Sequence, residues 1–93
     1  MSFGFEWDLN KAAVNLAKHG VSFVEAASVF TDPLSLTVPD DAHSIDESRF
    51  FTIGVSSRGR LLSVFYTDRD GQVRILSARP ATKSERTTYE ESD

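Results

Sequence analysis

Residues 51–80, FTIGVSSRGRLLSVFYTDRDGQVRILSARP, decide how this chain folds. Phe51, Ile53 and Val55 alternate with Thr52 and Gly54, the period of a half-buried strand. Ser57, Arg58 and Gly59 supply turn chemistry before the apolar run Leu61 to Tyr66, and Asp68 to Gly71 supply it again before Val73 to Ala78. Three strands joined by two tight turns predict an antiparallel meander. Along the last strand the two-residue period places Arg79 on the same pleat face as Ser77, Ile75 and Val73. Pro80 closes that strand, because it has no N–H for the ladder.

Downstream, Thr82 and Glu85 form a capping box that predicts a terminal helix reaching about Tyr89. Upstream, Leu34 to Val38 is a short strand, and the acidic stretch Pro39 to Glu47 reads as a loop in which His43 is solvated. Two helices precede it. Asp8 caps the first, in which Leu9, Ala12, Ala13, Leu16 and Ala17 recur with the spacing of one buried stripe, opposite Lys11, Asn15 and Lys18. Gly20 stands where a left-handed residue ends it. Ser22 and Glu25 cap the second, whose apolar positions Phe23, Ala26, Ala27 and Phe30 run to the stop at Asp32-Pro33. The predicted architecture is a single α+β domain over residues 1–93. It has two N-terminal helices, a mainly antiparallel four-stranded sheet containing the meander, and a C-terminal helix. The helices cover one sheet face and leave the other partly open.

Composition removes several classes of function. The 93 residues contain no cysteine, which excludes disulfides, thiolate metal sites and a cysteine nucleophile. With two histidines, neither spaced from a second ligand in a familiar pattern, no metal site is expected. No phosphate-binding glycine loop or G-x-S-x-G elbow occurs, so neither nucleotide hydrolysis nor serine acyl transfer is supported, and no cofactor is expected. No apolar run approaches the ~20 residues of a membrane helix. The acidic start Met1 to Asp8 lacks the basic leader of a signal peptide, which leaves the cytoplasm as the expected compartment.

The net charge of −4 is unevenly spread. From Arg49 to Arg86 there are eight basic residues against three acidic ones, a local charge of +5, and seven of the eight are arginine. Guanidinium groups suit phosphate recognition, so a basic stripe on one sheet face, opposite an acidic helical side, is the expected footprint.

Several short words then fall in a specific order: Phe5-Glu6-Trp7-Asp8, Asn15, Lys18-His19-Gly20-Val21, Asp32-Pro33, Glu47-x-Arg49, Gly54, Arg74-Ile75-Leu76-Ser77-Ala78-Arg79, Ala81-Thr82, Glu85 and Tyr89. Together they resemble the BrnT toxin family over residues 5 to 89. The resemblance implies a RelE-like fold and ribonuclease activity, which with no metal site expected reads as a metal-independent RNA endonuclease that inhibits translation and growth. It also implies neutralisation by a cognate DNA-binding antitoxin, through which alone the toxin would meet operator DNA.

Carried over by position, the resemblance marks Arg79, Arg60, Lys18, His19, Glu47 and Glu85 as candidate catalytic residues, and Arg49, Arg69, Trp7 and Tyr89 as candidate RNA contacts. Each has a structural alternative. Arg79 can bridge to the terminal helix, and Arg60 and Arg69 can be turn residues. Lys18 and His19 can simply serve the negative end of their helix. Glu47 can pair with Arg49, Glu85 can be only a cap, Tyr89 can be core, and Trp7 can pack instead of stacking on a base. The nuclease reading requires Arg60, Arg69 and Arg79 to converge on one bound phosphodiester. The rival reading is a non-catalytic module that binds protein or nucleic acid, such as a decayed toxin acting with its antitoxin in repression.

Overall fold

The computed structural model describes residues 4–44 and 47–92; Met1 to Phe3 of the acidic start, Ile45 and Asp46 of the expected loop, and Asp93 lie outside the described residues. The elements run β1 (Gly4–Glu6), α1 (Leu9–His19), α2 (Phe23–Ser28), β2 (Leu36–Pro39), β3 (Arg49–Val55), β4 (Leu61–Arg69), β5 (Gln72–Pro80) and α3 (Lys83–Glu91). Single 3-10 turns cover Val29–Thr31 and Asp41–His43. The sheet order is β1-β5-β4-β3-β2. The meander β3-β4-β5 and its partner β2 are antiparallel as expected.

The sheet has five strands rather than four, because β1 pairs in parallel with the start of β5, Phe5 opposite Val73. A strand therefore precedes the two helices, which are not N-terminal. Three residues are too few to display a period, and their partner lies far along the chain.

The core fills one sheet face, where Leu62, Val64, Val73, Ile75 and Ala78 meet Val21, Phe23, Ala26 and Val29. Gly54 lies on this face with Val29 so near that an added Cβ would stand 2.9 Å from its Cγ1, which requires glycine there. The opposite face carries Arg49, Phe51, Ile53 and Val55 from β3, and Thr67, Phe65, Ser63 and Leu61 from β4 as their cross-strand partners.

A bulge decides what β5 adds to that second face. Tyr66 faces Ile75 but Phe65 faces Ser77, so Leu76 is an extra residue without a partner on β4. The strict alternation expected along β5 is thereby broken. Val73, Ile75 and Ala78 point into the core, whereas Arg74, Ser77 and Arg79 point the other way.

α3 corrects the expected layering. Glu85 accepts hydrogen bonds from Ser63 and Arg79, both on the second face, so α3 crosses one end of that face instead of joining α1 and α2. Tyr89 Oη donates to Asp32 Oδ2 at 2.7 Å and ties α3 to the turn before β2. Toward Arg49 the same face carries a hollow lined by Arg49, Phe65, Ser77 and Arg79.

α1 is rotated relative to its apolar stripe. Leu9 and Leu16 are 80% and 52% exposed, whereas Asn15 is 5% exposed. The cause is the edge of β5 beyond Arg74, where β1 no longer pairs. There Asn15 Nδ2 donates to the Ala78 carbonyl at 2.8 Å and to the Val21 carbonyl at 2.9 Å, while Ala78 N–H donates to Asn15 Oδ1 at 3.1 Å. These three backbone groups belong to buried residues and would each cost about 1–3 kcal/mol if left unmade, whereas leucines at a protein surface are ordinary. Gly20 ends α1 at φ 70° as expected.

Candidate active site on the open sheet face

Arg79 is held by the local structure on both sides. Thr82 Oγ1 accepts from Glu85 N–H, and the Glu85 carboxylate returns to Thr82 N–H at 2.9 Å, completing the predicted capping box. The same carboxylate accepts from Arg79 Nη1 at 2.7 Å and Nη2 at 2.9 Å, and from the Ser63 hydroxyl at 2.8 Å. Burial alone would raise the Glu85 carboxyl, but Arg79 first, then Thr82 and Ser63, pull it down to about 2. Glu85 is therefore an anion that orients Arg79, and it is a poor proton acceptor near neutrality. The guanidinium carbon of Arg79 lies 5.2 Å from the centre of the Phe65 ring, which in turn stacks on Phe51 at 5.1 Å.

This end-on contact uses the two terminal nitrogens of Arg79, with Nη1 also reaching the Pro80 carbonyl at 3.3 Å. Its Nε–H and one Nη2–H, which make a parallel fork suited to a phosphate, are not engaged by the described residues. Beside them lies a hollow of about 330 Å³ lined by Asp40, His43, Arg49, Phe65, Leu76, Ser77 and Arg79. Arg49 enters it from the first strand of the meander and Arg79 from the last. Among the described residues Arg49 makes no ion pair.

The expected convergence of Arg60, Arg69 and Arg79 does not occur, so the nuclease reading fails in the form that requires these three guanidinium groups on one phosphodiester. Arg60 precedes β4 and Arg69 ends it, roughly 30 Å apart at ~3.3 Å per residue. Arg60 turns to the helical side, where its Nε donates to Glu25 Oε2 at 2.9 Å and its Nη2 to the Gly20 carbonyl. Glu25 is buried and also accepts from Ser56, so its carboxyl lies below its usual range, chiefly through Arg60. The Glu25 side chain thus leaves the expected capping box, although Ser22 Oγ does accept from Glu25 N–H. Arg69 pairs with Glu47 at 2.8 Å, an exposed contact that replaces the expected Glu47-Arg49 pair and lowers the Glu47 carboxyl.

The remaining candidates lie apart from the hollow or beside it. Lys18 and His19 line an adjacent groove with Val14, Leu76 and Ser77, on the other side of the bulged β5 segment. Trp7 packs edge-on against Phe23, ring centres 6.0 Å apart, and joins the core. Tyr89 is committed to Asp32. The seven arginines do not form one uncompensated stripe, because Arg60, Arg69, Arg74 and Arg79 each hold a glutamate, namely Glu25, Glu47, Glu6 and Glu85.

His43, expected in solvent, lies at the hollow. Its ring is 66% exposed, yet Nδ1 lies 3.1 Å from both carboxylate oxygens of Asp40 and the residue lines the hollow with both arginines. The signal available was the i,i+3 spacing of Asp40 and His43 in a loop returning to Arg49. A hollow between Pro33 to Leu36 and Tyr89, Glu90 and Ser92 is of similar size but offers no cation to a phosphate. Among the described residues no three or more His, Cys, Asp or Glu side chains cluster so as to hold a metal ion, and no helix is long and apolar enough to cross a membrane.

Comparison with known proteins adds three findings. A family model described as ribonuclease toxin, BrnT, of type II toxin-antitoxin system matches residues 7–85. The fold is similar to the 1.1 Å crystal structure of the Brucella abortus ribonuclease toxin BrnT, with a TM-score of 0.69 and 21% identity over 88% of this chain and 100% of that one. No curated protein matches the chain.

Proposed function

The chain belongs to the BrnT family of ribonuclease toxins of type II toxin-antitoxin systems, and on that premise we propose that it is an RNA endonuclease that grips its substrate phosphodiester between Arg49 and Arg79. One observation carries the reading: these two guanidinium groups, from separate strands, line one hollow on the open sheet face. RNA contains its own nucleophile, the 2′-hydroxyl, and its attack on phosphorus builds negative charge on the equatorial oxygens. Fixed guanidinium donors that meet this charge stabilise the transition state without a metal ion. Arg79, clamped by Glu85 with its side fork free, is placed for that work, and Arg49 supplies the second cation.

The wider reading is a RelE-like toxin of a single domain that acts in the cytoplasm, cuts RNA and so arrests translation and growth, and is neutralised by a DNA-binding antitoxin. One observation favours the rival, a module that binds without cutting: four of the seven arginines are already compensated by glutamates. Incubation with end-labelled single-stranded RNA in EDTA separates the two. The nuclease reading expects cut ends from the wild-type protein and far slower cutting by Arg79→Ala or Arg49→Ala. Intact RNA with salt-sensitive binding would support the module instead.

A further inference from the structure

Binding the phosphodiester leaves a proton to be moved, and the candidates inferred from sequence are poorly placed for it. Glu85 is held ionised by four hydrogen bonds, Glu47 is spent on Arg69 at the far end of β4, and Lys18 and His19 face a different groove. Resting on the nuclease reading above, we propose that His43, backed by Asp40, is the catalytic proton-transfer residue of the Arg49-Arg79 hollow.

Three features of the geometry lead there. First, His43 lines the hollow with both arginines. Second, its loop is fastened to the strand that carries Arg49. Asp40 N–H donates to the Arg49 carbonyl at 2.8 Å, Arg49 N–H donates to Ser44 Oγ at 2.9 Å, and the Ser44 hydroxyl donates to the Asp40 carbonyl at 2.8 Å. His43 N–H closes the turn onto the Asp40 carbonyl at 3.1 Å. The imidazole and the Arg49 guanidinium are thus set on one braced unit. Third, the Asp40 carboxylate, 13% exposed, meets Nδ1 with both oxygens. A carboxylate accepts only, so in the neutral ring it keeps the proton on Nδ1 and leaves Nε2 with a lone pair. This is the arrangement by which a carboxylate sets the tautomer of a basic histidine.

In the step this assigns, His43 Nε2 takes the proton of the RNA 2′-hydroxyl as the 2′-oxygen bonds to the adjacent phosphorus. The bond from phosphorus to the 5′-oxygen breaks, and the departing oxygen takes a proton from water. The products are a 2′,3′-cyclic phosphate and a 5′-hydroxyl, and the imidazolium returns its proton to solvent. Phosphorus undergoes no redox change. Asp40 acts through His43 as a positioning residue.

The test compares wild type, His43→Ala, His43→Gln and Asp40→Asn on one end-labelled RNA, measuring cleavage rate, RNA affinity and thermal melting together. The expected result is a fall in cleavage rate of about a hundredfold or more for both His43 variants, since a positioned acid or base typically contributes ~10²–10⁴-fold. RNA affinity stays within threefold of wild type, a limit of about 0.65 kcal/mol, and added imidazole partly restores His43→Ala. Asp40→Asn shows a smaller loss that imidazole does not restore. Because the ring is mostly exposed, melting of the His43 variants should stay near wild type, and any variant that has lost its fold is recognised there and replaced by the Gln form. Wild-type cleavage with either folded His43 variant cutting at the wild-type rate overturns the assignment of His43 and leaves the nuclease reading standing. Absence of cleavage by the wild-type protein overturns both.

Discussion

Two arginine-glutamate pairs stand on opposite faces of the same sheet and make opposite uses of the same chemistry. Arg60 presents its side fork to Glu25, with Nε on one oxygen and Nη2 on the other, and the second Nη2 hydrogen reaches the Gly20 carbonyl. That guanidinium fastens the end of α1 to α2 and to the start of β4, with no parallel pair of donors left over. Arg79 presents its two terminal nitrogens to Glu85 and keeps its side fork, beside a hollow that holds another arginine and a histidine. An ion pair is a support or a tool according to which edge of the guanidinium it consumes.

The comparison is sharpest in activity. Arg79→Ala should lower RNA cleavage by about 10²–10³-fold, the cost typical of removing one fixed transition-state donor, with a modest fall in melting temperature. Arg60→Ala should do the reverse: a clear fall in melting temperature, because a buried Glu25 carboxylate loses its partner, with cleavage per folded molecule nearly unchanged. Equal cleavage losses in the two variants would break the distinction.

Exchanging the carboxylates gives the next effect. Glu85→Gln frees Arg79 from its clamp and should reduce cleavage about tenfold through misplacement, whereas Glu25→Gln should reduce stability alone. The acid dependence carries a definite sign. The folded Glu85 carboxyl lies near 2 against an ordinary 4.5, so its contribution is complete above about 4.5 and is lost as pH falls toward 2. The gap in melting temperature between wild type and Glu85→Gln should be widest near neutrality and narrow over that interval; a constant gap would mean that the carboxylate does not carry the clamp. The smallest effect belongs to Tyr89→Phe. Loss of its bond to Asp32 should cost about 1 kcal/mol in denaturant unfolding and change cleavage little.

What the sequence made legible was local. The meander, the Thr82-Glu85 cap and the Gly20 terminus rest on neighbouring residues, whose spacing carries its own signal. What it hid was long-range. The three residues of β1 gain their identity only from β5, and α1 turned its amide inward because a sheet edge lay beside it. The bulge at Leu76 made alternation along β5 an unreliable guide to faces, so Arg79 was placed with Val73 and Ile75 although it projects away from them. The same limit applied to the site. Arginine enrichment was visible, but which arginines a glutamate would claim was not, and His43 acquired company only when its loop folded back onto β3.

The Asn15 amide has a consequence for how this molecule behaves in company. A strand that ends a sheet offers its bare amides and carbonyls to any other chain, which is the start of many aggregates. By occupying Ala78 on both sides, Asn15 acts as a plug in that outlet, and the short strands β1 and β2 leave little else to copy. Unplugging it should therefore show first as clumping on storage.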